Sequence, residues 1–139
     1  MSISAEQAQV LLNAAQAAAE NAYAPYSDFP VGAALLTTNG AILTGVNVEN
    51  ASFGLTLCAE RTALVKAISE GHRDFQAIAV WASRRPHGSV TPCGACRQVM
   101  VEFLLPQTPV VLTDESNGQV RILSMTELLP EAFGPAIQR

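Results

Sequence analysis

Charge is scarce in this chain. Asp, Glu, Lys and Arg make up 14% of its 139 residues, against roughly 25% in an average soluble domain. No Lys or Arg occurs before Arg61. The opening stretch therefore lacks the basic segment of a secretory or organellar targeting signal, and the expected location is cytoplasmic. Eight basic residues against twelve acidic ones leave a net charge of −4. Without a basic stripe, tight binding to a nucleic-acid strand is not expected, and any nucleic-acid component should be a neutral one such as a nucleoside. No apolar run approaches the ~18 residues of a membrane span. Repeats, low-complexity tracts and linkers are missing too, so residues 1–139 are read as one domain. The cysteines number three, an odd count that excludes a disulfide framework and suits a reducing compartment.

What is abundant is apolar surface, at 49% hydrophobic residues. A domain this small has little interior, so some of that surface should be covered by further copies of the chain. The Ala-rich segment 4–22 reads as a helix, with Ser4 and Gln7 spaced as a capping box. Residues 23–30 form a loop punctuated by Pro25 and Pro30. Val31 to Thr38 and Ala41 to Glu49 read as strands joined by an Asn39-Gly40 hairpin turn. Cys58 to Gly71 reads as a helix with Leu64, Val65 and Ile68 on its apolar side, stopped by Gly71. Ala77 to Ala82 is a short strand. Pro92 to Leu105 reads as a helix with Thr91 as N-cap and Pro92 in the first helical position. Pro109 to Thr113 and Gln119 to Leu123 are strands around a turn at Ser116-Asn117-Gly118, and Thr126 to Leu129 is a helical turn. Strands alternating with helices after an opening hairpin predict an α/β sandwich with a mixed sheet.

The three cysteines fall in two places, Cys58-Ala59-Glu60-Arg61 and Pro92-Cys93-Gly94-Ala95-Cys96. Cys58 and Cys93 both stand at predicted helix starts, where the local positive potential favours thiolate. A C-x-x-C pair on a first helical turn can aim both sulfurs at one ion, and Cys58 supplies a third ligand if the two helix ends meet. Three thiolates leave one position of tetrahedral Zn²⁺ open to water, and Glu60 beside it can move protons. A closed structural site would need a fourth Cys or His. The only histidines, His72 and His87, do not form a ligand pair. Cys93-Gly94-Ala95-Cys96 taken alone resembles a thiol–disulfide redox turn; the third cysteine and the following glutamate favour zinc. Three thiolates and Zn²⁺ sum to a negative charge that weakens the metal as a Lewis acid, and Arg61 is placed to withdraw some of it through a hydrogen bond to sulfur.

Cys58-Ala59-Glu60-Arg61 and Pro92-Cys93-Gly94-Ala95-Cys96-Arg97-Gln98 resemble the zinc motifs of the cytidine deaminase family. The resemblance extends to Pro25-Tyr26-Ser27 with Phe29 and Val31-Gly32-Ala33, to Gly45 with Asn47 and Glu49-Asn50-Ala51, and to Glu127-Leu128-Leu129-Pro130 with Ala132-Phe133. It implies a three-layer α/β/α sandwich with a mixed five-stranded sheet, one Zn²⁺ per subunit and a homotetramer. The implied activity is hydrolytic deamination of cytidine and 2′-deoxycytidine in pyrimidine salvage: zinc-bound hydroxide attacks C4 while Glu60 shuttles protons. By the same resemblance, Asn47 and Glu49 bind the ribose 3′-hydroxyl, Phe29 stacks on the base, the Ala59 N–H binds its O2, and the Thr91 carbonyl receives the amine. Phe53 and Phe133 would reach a neighbouring subunit's pocket. Thr91 stands where serine is common, and Arg97 and Gln98 receive no chemical role. The rival readings are a deaminase for another aminopyrimidine nucleoside, a nucleoside-binding protein without turnover, and the redox pair.

Overall fold

The computed structural model describes residues 2–83, 90–113 and 118–135. The chain opens with α1 (Ala5–Ala18). The Ser4 hydroxyl accepts from the Gln7 N–H at 3.0 Å and the Ser4 N–H donates to Gln7 Oε1 at 3.1 Å, the expected capping box. A single 3₁₀ turn, Ala19–Asn21, ends it. β1 (Val31–Thr37) and β2 (Ile42–Val46) follow as an antiparallel hairpin, turned at Gly40 with φ +92°. Then come α2 (Ala59–Ser69), β3 (Phe75–Ala82), α3 (Gly94–Phe103), β4 (Pro109–Thr113), β5 (Val120–Ser124) and the short α4 (Met125–Leu128). Gly71, at φ +97°, follows α2 as expected.

The five strands form one sheet in the order β2-β1-β3-β4-β5. β3 and β4 pair in parallel and the other neighbours antiparallel, so the sheet is mixed. Alternation along the strands sorts the core onto two faces. Ala34, Leu36, Ala77, Ala79 and Val111 pack under α1 with Ala8, Leu11, Leu12 and Ala15. Leu35, Ile78, Val80, Val110 and Leu112 pack on the opposite face with Leu64 of α2 and Met100 of α3. This is a three-layer α/β/α sandwich. Each fully buried Leu or Ile contributes about 1.5–3 kcal/mol.

Two glycines bring the helices close. A Cβ on Gly32 would lie 1.9 Å from the Ala15 carbonyl oxygen of α1, and one on Gly45 would lie 2.4 Å from the Ala63 nitrogen of α2. The second contact seats α2 directly on β2 and fixes where its N-terminus emerges.

Several boundaries differ from the expectations. β2 stops at Val46, because the Asn47 side chain turns inward onto the Phe29 carbonyl and the Val31 N–H at the start of β1 and the ladder ends there; Val48 only bridges Tyr23 and Leu57. α3 starts at Gly94 with Cys93 as N-cap, because the Thr91 hydroxyl is engaged by Arg97. The same helix ends at Phe103, before Leu105. Val65 is half exposed on α2, while Leu64 faces the core. β5 runs on to Ser124, which caps α4 in a second capping box with Glu127. Gly118 has φ +73°, as a turn requires; Ser116, Asn117 and His87 lie outside the described residues. Among the described residues no helix is long and apolar enough to cross a membrane.

Candidate metal centre and active site

Cys58 is the N-cap of α2 and Cys93 the N-cap of α3, with Cys96 one turn further on. Neither cap makes a side-chain hydrogen bond to its helix, so both sulfurs are free to point outward from the helix ends. The two ends meet. Cys58 Sγ lies 3.9 Å from Cys93 Sγ, and Cys93 Sγ lies 3.5 Å from Cys96 Sγ. All three sulfurs are within 4.8 Å of one another. Zn–S bonds of about 2.3 Å in a tetrahedron require S···S edges of roughly 3.8 Å. The cluster therefore fits zinc with little adjustment, and its all-sulfur donor set suits that metal. Cys96 is buried, Cys58 half-buried and Cys93 exposed, so the cluster opens on the Cys93 side.

The electrostatics follow from this crowding. The Cys58 thiol is pushed down to about 5, first by the hydrogen bond from Cys96 and then by Arg61. The same bond pushes Cys96 up, as the sulfur that keeps the shared proton. Arg61 Nη2 donates to Cys58 Sγ at 3.5 Å and to the Thr56 carbonyl at 3.3 Å. Its Nε is buried without a partner among the described residues. Glu60 is almost fully buried, and its carboxyl is raised to about 7, mostly by burial, with the Cys58 charge adding to the effect. A carboxyl poised near neutrality beside a metal-binding cluster can both take up and give back a proton.

The remaining candidates lie at the starts of α2 and α3, just after β2, in the loop before β1, ahead of α2 and after α4. Ala59 is fully buried in the first turn of α2, where the backbone N–H has no acceptor within the helix. Thr91 and Pro92 immediately precede Cys93. Asn47 is buried, and its side chain bridges backbone: Nδ2 donates to the Phe29 carbonyl at 2.9 Å and Oδ1 accepts from the Val31 N–H at 3.0 Å. The Glu49 carboxylate accepts from the Tyr26 N–H at 2.9 Å, the Ser27 N–H at 3.1 Å and the Ser27 hydroxyl. Both side chains thus reach the loop that carries Phe29, which is half-buried. Phe53 and Phe133 are 72% and 86% exposed.

Two features had no assignment from sequence. Ser27 and Tyr26 anchor Glu49; the signal was Ser27 two residues before Phe29, whose N–H its hydroxyl accepts at 3.1 Å. Tyr26 also packs edge-on against Phe53, with ring centroids 5.7 Å apart.

Residues 5–112 match the model of the cytidine and deoxycytidylate deaminase zinc-binding region. The chain is 55% identical over 126 residues to a cytidine deaminase of Halalkalibacterium halodurans, covering 90% of this chain and 92% of that protein. It is 46% identical over 123 residues to the cytidine deaminase of Mycobacterium tuberculosis, covering 88% and 85%. The crystal structure of a cytidine deaminase from Burkholderia pseudomallei superposes with a TM-score of 0.83 at 55% identity, over 90% of this chain and 98% of that one. With the three-sulfur cluster at the meeting of two helix ends, these matches place the chain in the cytidine and deoxycytidylate deaminase family.

Proposed function

We propose that the chain hydrolyses cytidine and 2′-deoxycytidine to uridine and 2′-deoxyuridine with release of ammonia. The observation that carries this reading is Glu60, buried and poised near neutrality beside Cys58, Cys93 and Cys96. These three thiolates would hold one zinc ion, which when bound supplies Lewis acidity and a water that ionises near neutral pH. Arg61 draws negative charge away from Cys58 and keeps the trithiolate set from blunting that acidity.

Glu60 takes the first proton of the attacking water and delivers it to N3 of the ring, then takes the second from the new C4 hydroxyl and passes it to the amine, which leaves as ammonia as the C4 carbonyl forms. Burial serves both halves of this task, because it keeps the carboxyl protonatable and excludes competing water. The Ala59 N–H holds O2 of the base, and the Thr91 carbonyl receives the amine. Phe29 stacks on the pyrimidine. Asn47 and Glu49 bind the ribose 3′-hydroxyl, and the negative charge of Glu49 disfavours a phosphate there, which selects nucleosides over nucleotides. Exposed Phe53 and Phe133 reach the pockets of neighbouring subunits in a homotetramer. The setting is cytoplasmic pyrimidine salvage.

The test mixes zinc-loaded protein with cytidine and follows uridine and ammonia by chromatography. Glu60→Ala should keep zinc and fold yet lose more than about 10³ of the rate, since one group serves several proton transfers. Near-wild-type turnover in that variant removes the shuttle. No uridine from the wild type rejects the substrate.

A further inference from the structure

The residue after the last cysteine makes more ordered contacts than its sequence position suggests. Arg97 Nε donates to the Pro92 carbonyl at 2.7 Å, Nη2 to the Thr91 hydroxyl at 3.1 Å and Nη1 to the Leu128 carbonyl at 2.6 Å. Its backbone N–H donates to the Cys93 carbonyl at 2.9 Å. One residue is thus bonded to three consecutive positions, 91, 92 and 93, and to the end of α4. Those three positions need an external brace. They belong to no helix or strand, Pro92 has no N–H to donate, and Cys93 makes no capping bond. The flat, forked guanidinium reaches these separated acceptors from three different nitrogens; a lysine ammonium has three N–H donors but on one nitrogen, and cannot span them.

We infer that Arg97 is a positioning residue for the reaction, holding the Thr91-Pro92-Cys93 backbone so that one metal ligand and the amine-accepting carbonyl keep a fixed spacing. The Leu128 bond supplies the fixed end, because it ties the guanidinium to an element outside the site. The amine-accepting part rests on the deaminase reading; the ligand part does not. All three guanidinium nitrogens of Arg97 are bonded to protein acceptors, so its effect should appear through the 91–93 segment.

The experiment uses the full zinc-loaded chain with Arg97→Lys and Arg97→Gln. Both variants should bind one zinc per chain. Release of zinc to a chelating dye should accelerate about tenfold, because the exposed Cys93 ligand is no longer braced. The kcat/KM for cytidine should fall about tenfold for Lys and about a hundredfold for Gln, while inhibition by uridine, which lacks the amine, shifts less than about threefold. Equal losses for cytidine turnover and uridine binding overturn the inference, since a general packing defect weakens both. Unchanged zinc release with unchanged kcat/KM overturns it as well. If Arg97→Gln does not fold, the Lys variant decides the matter alone. If the wild type does not turn over cytidine, the deaminase reading fails, and the zinc-release rates still judge the brace.

Discussion

Glu49 shows how much one side chain can be asked to do. Its carboxyl lies below the ordinary 4.5 chiefly because the Ser27 hydroxyl donates to it, helped by the Ser27 and Tyr26 N–H groups. The sign is that of a depressed acid: these bonds stabilise the loop fully above pH 4.5 and are lost as pH falls through the lower folded-state value. Hydrogen-exchange protection at Tyr26 and Ser27 should fall once acid protonates the carboxyl, and Glu49→Gln should show that lower protection at every pH. A wild-type loop whose protection is flat across this range would detach Glu49 from the loop. That Cys58, Cys93 and Cys96 could form one cluster with Glu60 beside it was legible from sequence, because Cys58-Ala59-Glu60 and Cys93 to Cys96 are each short patterns of unusual chemistry; that the two helix ends meet was not. The loop-holding roles of Asn47 and Glu49 were not. Each depends on partners about twenty residues away, and nothing in Asn or Glu says whether a backbone amide or a sugar hydroxyl will be its neighbour.

At the scale of elements, the legible parts were those with their own punctuation. The Ser4 capping box, the Asn39-Gly40 turn and the stop at Gly71 all formed as read. The misjudged ends were set by tertiary contacts. β2 was cut short by the inward turn of Asn47, and α3 began late because Arg97 claimed Thr91. Val65 lay half exposed because the sheet meets α2 along its Ala59, Ala63 and Ala67 stripe. That stripe of small residues sets up a sharp expectation. Gly45→Ala would place its Cβ 2.4 Å from the backbone nitrogen of Ala63, and Gly32→Ala 1.9 Å from the carbonyl oxygen of Ala15. Backbone cannot step aside as a side-chain tip can, so each substitution should cost about 3 kcal/mol in urea denaturation. Gly54→Ala meets nothing within 4 Å and should stay within about 0.5 kcal/mol of wild type. Gly45→Ala should in addition disturb zinc binding, since it lifts α2 and with it Cys58; intact zinc affinity would mean the helix end is held from elsewhere.

Seen whole, the molecule places its three sulfurs on two stretches of chain 35 residues apart, Cys58 on one side of β3 and Cys93 with Cys96 on the other. The distance between them along the chain has a mechanical meaning separate from any reaction. A metal shared by both stretches closes that span as a covalent cross-link would, and closing a loop of this length removes about 4 kcal/mol of unfolded-chain entropy. Chelation should therefore lower the thermal midpoint by roughly ten to fifteen degrees in a domain of this size, and returning zinc should restore it. An unshifted midpoint would mean that the sheet holds the two stretches together without help. A chain cut between Gly71 and Phe75 keeps the β1–β3 ladder and the core beneath α1 as a seam between its two pieces, and zinc rivets that seam at one end; the pieces should migrate together with zinc bound and part at lower urea once it is drawn out.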